Sequence, residues 1–211
     1  MSSLFTGLLF LACPKQPEVS TEATAVVTEI KEAAEVAEVA EIATEEAASA
    51  AVLAALPWEY SLAEDTTIQF VGAKLTGKHD GSFKQFSGSA AVLEGKLIAL
   101  KAEIDMSSVE ADHPKLTEHL KSADFFDVAQ FATATFTSSK IEAGNITGIL
   151  DFHGLQNEIT FPAEITIDGD DVNIVANFSI DRQLWSVTYP GRPDDLIKDE
   201  VPIALNARYT K

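Results

Sequence analysis

Cysteine is nearly absent from this chain of 211 residues: Cys13 stands alone, so no internal disulfide can form and pairing says nothing about the redox compartment. Basic residues are also scarce, with 15 Lys and Arg against 33 Asp and Glu and a formal charge of -18. That balance excludes a nucleic-acid partner, because a phosphate backbone is gripped by clustered Lys and Arg. It equally disfavours peripheral docking on anionic lipid heads. No apolar run approaches the roughly 20 residues a membrane-crossing helix needs. No Gly-rich phosphate loop, nucleophile elbow or dinucleotide fingerprint occurs.

What is present divides into three parts. Residues 1–13 hold the short apolar run LFTGLLFLA, Leu4 to Ala12, which suits a signal-peptide core and is followed directly by Cys13. An apolar run, a small residue and then Cys resemble the bacterial lipoprotein processing box. The resemblance implies that Cys13 carries lipid and that several acyl groups form a stable membrane anchor.

Residues 14–56 are of low complexity, almost all Ala, Glu, Val and Thr after Pro14 and Pro17. Glu29, Glu32, Glu35, Glu38 and Glu41 recur every third residue, and at about 100° per residue that stripe drifts around a helix without holding one face. Ala and Glu favour helix, yet a lone helix with like charges and no apolar seam is marginal in water. An acidic tether, partly helical or disordered, is expected up to Pro57; the missing heptad argues against a coiled-coil partner helix.

From Trp58 the apolar period becomes two. Ile159, Phe161, Ala163, Ile165 and Ile167 alternate with polar residues, as do Val172, Ile174, Ala176, Phe178 and Ile180, and Val201, Ile203, Leu205, Ala207 and Tyr209. Ile98, Leu100, Ala102, Ile104 and Met106 repeat the pattern. Weaker copies lie near residues 58–62, 68–71, 86–93, 132–141 and 146–152. Turn signals such as LEGK, EAGN and DGDD fall between them at hairpin spacing, which favours antiparallel neighbours. One helix is expected over DHPKLTEHLKS, with Asp112 as N-cap and Pro114 in its first turn. A single short helix cannot cover so many half-apolar strands, so they must cover each other as a closed barrel or a stacked sandwich.

Little in the domain suggests chemistry. His79, His113, His119 and His153 share no i, i+4 helix face, so no metal is expected. The carboxylate pairs Asp124 with Asp127 and Asp194 with Asp195 sit among turn-like polar residues and suit a solvated surface better than acid-base work. KSADFFDVAQ, residues 121–130, is the exception to a bland surface. Two adjacent rings, Phe125 and Phe126, must cover something or be covered.

Three stretches then carry a resemblance: HLKSADFFDVAQFATATFTSSKI, ITGILDFHGLQNEITFPAEI and GKHDGSFKQFSG. Residues 57–211 resemble the YceI-like family of bacterial polyisoprenoid-binding proteins, most specifically through His119 to Asp127, Phe136 with Ser138, and the G-x-L-x-x-H-G run from Gly148 to Gly154. The resemblance implies an all-β fold, an eight-stranded antiparallel lipocalin-like barrel with one short helix, whose apolar tunnel holds an isoprenoid or fatty-acid-like tail. It implies neither a catalytic residue nor a cofactor, and a location in the bacterial cell envelope, lipid-anchored on the periplasmic face of a membrane or secreted. The inward residues of the clean strands are almost uncharged, so a guest should be a hydrocarbon chain.

The expected lining, drawn from the apolar faces and the helix-turn lid, is Phe70, Phe86, Leu100, Ile104, Phe126, Phe136, Leu150, Phe161, Phe178 and Trp185. The contrasting expectation is a structural or stress-related envelope module, packed solid and acting through protein contacts. Oligomeric state is open, a homodimer included.

Overall fold

Val172, Ile174, Ala176, Phe178 and Ile180 are all buried along one strand, Asp171–Asp181, as a period of two requires when only one sheet face meets the core. The computed structural model describes residues 26–28 and 53–211. Cys13, the signal run and most of the tether lie outside the described residues.

The chain enters as β1 (Val26–Thr28), β2 (Tyr60–Leu62), β3 (Thr67–Lys74), β4 (Gly77–Phe83), β5 (Phe86–Leu93), β6 (Lys96–Asp105) and β7 (Val109–Ala111). Helix α1 (Pro114–Lys121) follows. The second half holds β8 (Thr133–Glu142), β9 (Asn145–Phe152), β10 (Leu155–Pro162), β11 (Glu164–Asp168), β12 (Asp171–Asp181), β13 (Gly191–Arg192), β14 (Asp195–Leu196) and β15 (Glu200–Thr210). Every ladder is antiparallel.

The ladders return on themselves. β2 pairs with β5, and β6, β8, β9 and β10 follow in turn; on its other edge β2 pairs with β15, which pairs with β12, and β12 with β11. β10 and β11 are one run of chain, interrupted where Pro162 has no N–H to donate and Ala163 turns to give its own to Gly144 O, 2.8 Å away. Across that bend the chain exchanges β9 for β12 as neighbour, so one run of chain borders both ends of the strand series and closes it. The expected strand over residues 158–167 thus appears as two segments, and the described residues hold thirteen strands in one sheet.

Two bulges alter the expected facing. Ala91 pairs with Ala99 but Val92 with Leu97, so Ile98 is the extra residue and parity flips there. Leu97 and Leu100 therefore both enter the core, and Ile98, read from simple alternation as inward, does not belong to it. A second bulge leaves Ser139 extra in β8. Beside it the buried Ser138 hydroxyl accepts the Leu100 N–H at 2.9 Å, satisfying a backbone donor beyond the last β6–β8 pair.

In the expected tether, Val26–Thr28 pairs with Glu158–Thr160 of β10 as a strand, where composition suggested a partly helical or disordered segment. An unpaired strand edge offers a row of backbone partners, and Val-Val-Thr is a good strand former.

The interior has two parts. One is filled by Tyr60, Leu97, Leu100, Ile146, Phe161, Phe178 and their neighbours, with the Phe161 and Phe178 rings stacked 4.3 Å apart. The other lies where β3 and β4 branch from the β15 ladder, beneath α1, and gathers Val109, Leu120, Phe125 and Val187.

Candidate functional site: an apolar cavity under the Phe125–Phe126 turn

Helix α1 positions the roof. Its N-cap is His113, whose Nδ1 accepts the Lys115 N–H at 3.2 Å, and not the expected Asp112. Asp112 is drawn away by His79, whose Nδ1 lies 2.9 Å from its carboxylate. Pro114 opens the helix where a missing N–H costs nothing. At the other end the N–H groups of Phe126 and Asp127 donate back to Leu120 O and Ser122 O at 3.0 and 2.9 Å. Asp127 takes a positive φ of 42°, and the chain folds under itself.

That turn answers why two phenylalanines are adjacent. Phe125, 7% exposed, packs against the rings of His119 and Tyr189 at centroid distances of 5.0 and 4.9 Å, and those two rings meet each other at 5.0 Å. Phe126 points toward the sheet, meeting Phe70, Phe83 and Phe152 at 6.3, 6.2 and 5.6 Å. Both rings border the space below, Phe125 while packed on its neighbouring rings and Phe126 while facing the sheet.

The opposing rim is the strap 187–198. Arg182, 6% exposed, holds it from beneath: its guanidinium donates to the carbonyls of Val187, Ile197 and Lys198 and to Asp199 Oδ1 at 2.9 Å. A buried charge is tolerable because its donors meet acceptors. The strap is also clipped to the β3–β4 hairpin. Asp195 accepts from the Thr76 N–H and hydroxyl at 3.0 and 2.8 Å and pairs with Lys74 at 2.8 Å. The Lys74 ammonium first and then Thr76 hold the Asp195 carboxyl below its ordinary value.

Between roof, strap and sheet lies a cavity of about 130 Å³ with an apolar wall. Ile68, Phe70 and Phe83 come from β3 and β4, and Ile180, Val201 and Ile203 from β12 and β15. Phe152 is also part of the wall, and the residue after it helps fix the packing behind. His153 Nδ1 donates to the Trp185 carbonyl at 2.9 Å, while Trp185 Nε1 donates to Leu150 O at 3.1 Å. Trp185 is thereby pinned and fully buried. Among the described residues no three His, Cys, Asp or Glu side chains converge to hold a metal ion.

A closed antiparallel β-fold whose apolar hollow is roofed by a helix and an Asp-Phe-Phe-Asp turn agrees with one domain family, the YceI-like domain, which matches residues 60–209. The chain belongs to the YceI-like family.

Among its relatives, Protein YceI of Salmonella arizonae is 36% identical over 97 residues, 43% of this chain and 51% of that protein. A UPF0312 protein of Vibrio vulnificus is 35% identical over 98 residues, covering 43% of this chain and 52% of its relative. The chain thus spans about half the length of the curated relatives it matches. Two solved structures share the fold. BcnA of Burkholderia cenocepacia has a TM-score of 0.59 at 24% identity, covering 68% of this chain and 95% of BcnA. A polyisoprenoid binding domain from Saccharophagus degradans, implicated in plant cell wall breakdown, has a TM-score of 0.60 at 18% identity, with 72% and 97% covered.

In this YceI-like chain the ten expected lining residues separate. Phe70 and Phe126 line the cavity. Leu100, Phe161, Phe178 and Trp185 are buried in the filled part of the barrel, with Phe136 and Leu150 packed against it. Phe86 and Ile104 are half-buried cross-strand partners belonging to neither cluster. Cavity residues that the pattern did not single out include Phe83, Phe152, Leu120 and Arg182. Phe152 was within reach, since it falls two residues after Leu150 on the same strand face. Phe83 was not, because GKHDGSF shows no apolar alternation.

Proposed function

We propose that this chain binds an amphiphile by its apolar tail, for carriage or sequestration in the bacterial cell envelope. The apolar cavity beneath the Phe125–Phe126 turn carries the reading. Its wall offers a polar head nothing to replace lost hydration, whereas each methylene moved from water gains about 0.8 kcal/mol. At about 130 Å³ it is close to the roughly 150 Å³ cavity that holds benzene, so it seats one end of a tail and the remainder leaves by the mouth. The Saccharophagus neighbour, described as a polyisoprenoid binding domain, supports an isoprenoid-like tail. Polar groups do not converge within the cavity, so binding without chemical change is the reading. Lipidation at Cys13, with residues 14–56 as spacer, would hold the domain at a periplasmic membrane face.

The test is extraction of the purified protein with organic solvent and mass spectrometry of the extract. A released isoprenoid or fatty amphiphile is expected. An empty extract, together with no uptake of an added fluorescent fatty-acid probe, would leave the contrasting reading: an envelope module acting through its outer surface, which the filled part of the barrel favours. Labelling cells with a radioactive fatty acid tests the anchor, which fails if no label reaches the Cys13 form.

A further inference from the structure

Phe152 occupies a position no other described apolar residue shares: it packs in both interior clusters, the filled one and the one around the cavity. On the cavity side its ring meets Phe126 at 5.6 Å, and on the far side it meets Trp185 at 6.3 Å. We infer that Phe152 is the stop that sets how long a tail the cavity accepts, an inference that rests on the tail-binding reading.

Three observations make it a stop and not merely a wall residue. Its backbone is fixed, because Phe152 pairs with Leu155 across the tight His153–Gly154 turn, whose two residues take φ of 50° and 76°. Gly154 has no room to change, since a Cβ there would fall 2.6 Å from the Phe131 ring. The ring behind it cannot retreat: Trp185 is fully buried and held by the two hydrogen bonds to Leu150 O and from His153 Nδ1. The cluster to which Trp185 belongs is already filled, by the Phe161–Phe178 stack and by Phe136 at 5.7 Å from Phe161. A tail entering under Phe126 therefore gains contact until it reaches the Phe152 ring and gains nothing further inward. The neighbouring Phe70, Phe83 and Phe126 shape the width of the space, whereas Phe152 ends it.

The inference is tested with a ladder of straight-chain alcohols, from ethanol to octadecanol, competing against a fluorescent fatty-acid probe. In the native protein, affinity should rise about fourfold per added carbon, which is about 0.8 kcal/mol, and then level off. In Phe152→Ala the levelling point should move to longer alcohols, with about fourfold gained for each further carbon admitted. In Phe152→Trp it should move to shorter ones. Phe152→Leu, which removes less volume, should lie between native and Ala and remains informative if the Ala variant does not fold; thermal melts identify the folded variants. Levelling at one chain length in the native, Leu and Trp proteins overturns the inference while leaving tail binding intact. Failure of every alcohol and of the probe to bind the native protein overturns the tail-binding reading itself.

Discussion

The Phe70 ring stands where a side chain on its cross-strand partner Gly81 would be: a Cβ on Gly81 would fall 2.2 Å from Phe70 Cζ. A ring laid over a strand glycine covers backbone that would otherwise face the cavity, and it leaves the space beside it open. Gly81→Ala must therefore swing Phe70 into the cavity. We expect probe affinity to fall about tenfold, which is about 1.4 kcal/mol, with a stability loss of about 1–3 kcal/mol from overpacking. In the double variant Gly81→Ala, Phe70→Leu much of the affinity should return. Equal losses in the single and double variants would show that Phe70 is not the mediator.

The adjacent phenylalanines should separate in their effects. Phe125 is buried against His119 and Tyr189, so Phe125→Ala is expected to cost about 3–5 kcal/mol in chemical denaturation. Phe126 is half-buried over the cavity, so Phe126→Ala should cost less stability and weaken the fluorescent probe by about tenfold or more. Similar stability losses and unchanged probe affinity in both would contradict the division of roles.

Arg182 ties the strap to the barrel through three backbone carbonyls and Asp199. Arg182→Met keeps much of the side-chain bulk but leaves those acceptors without their donor. The expected loss is about 3–5 kcal/mol, since a buried pair is being broken on one side only. Limited proteolysis should then cut first within residues 187–198. A native-like cleavage pattern would show that the strap does not depend on this contact.

Acid should release the clip between strap and hairpin. Asp195 has its pKa lowered by Lys74 and Thr76, so the folded state holds its proton less tightly than the unfolded chain. The stabilisation is therefore present above the ordinary carboxylate value of 3.8 and is lost as pH falls below it through the lowered folded value. Asp195→Asn should melt lower at neutral pH and show a flatter acid limb of melting temperature against pH. Parallel acid limbs for native and variant would remove the clip from the account.

Alternation alone determined much here. Hydrophobic burial acts on one face of each strand, so a period of two in Val172 to Ile180 or Ala207 to Tyr209 announces both the strand and its inward side. Local capping chemistry likewise placed α1 to within a few residues, although Asp112 lost its role to a contact with His79, 33 residues away. The inward set was legible as a set, and its division was not. Whether an inward phenylalanine fills the barrel, as Phe161 does on Phe178, or borders open space, as Phe70 does, depends on which strands face it after closure. Bulges at Ile98 and Ser139 shift parity, Pro162 redirects a strand to a new partner, and a single glycine across the ladder decides where a ring can lie. Those are long-range packing outcomes, set by volumes brought together from distant parts of the chain, so no short window of sequence contains them.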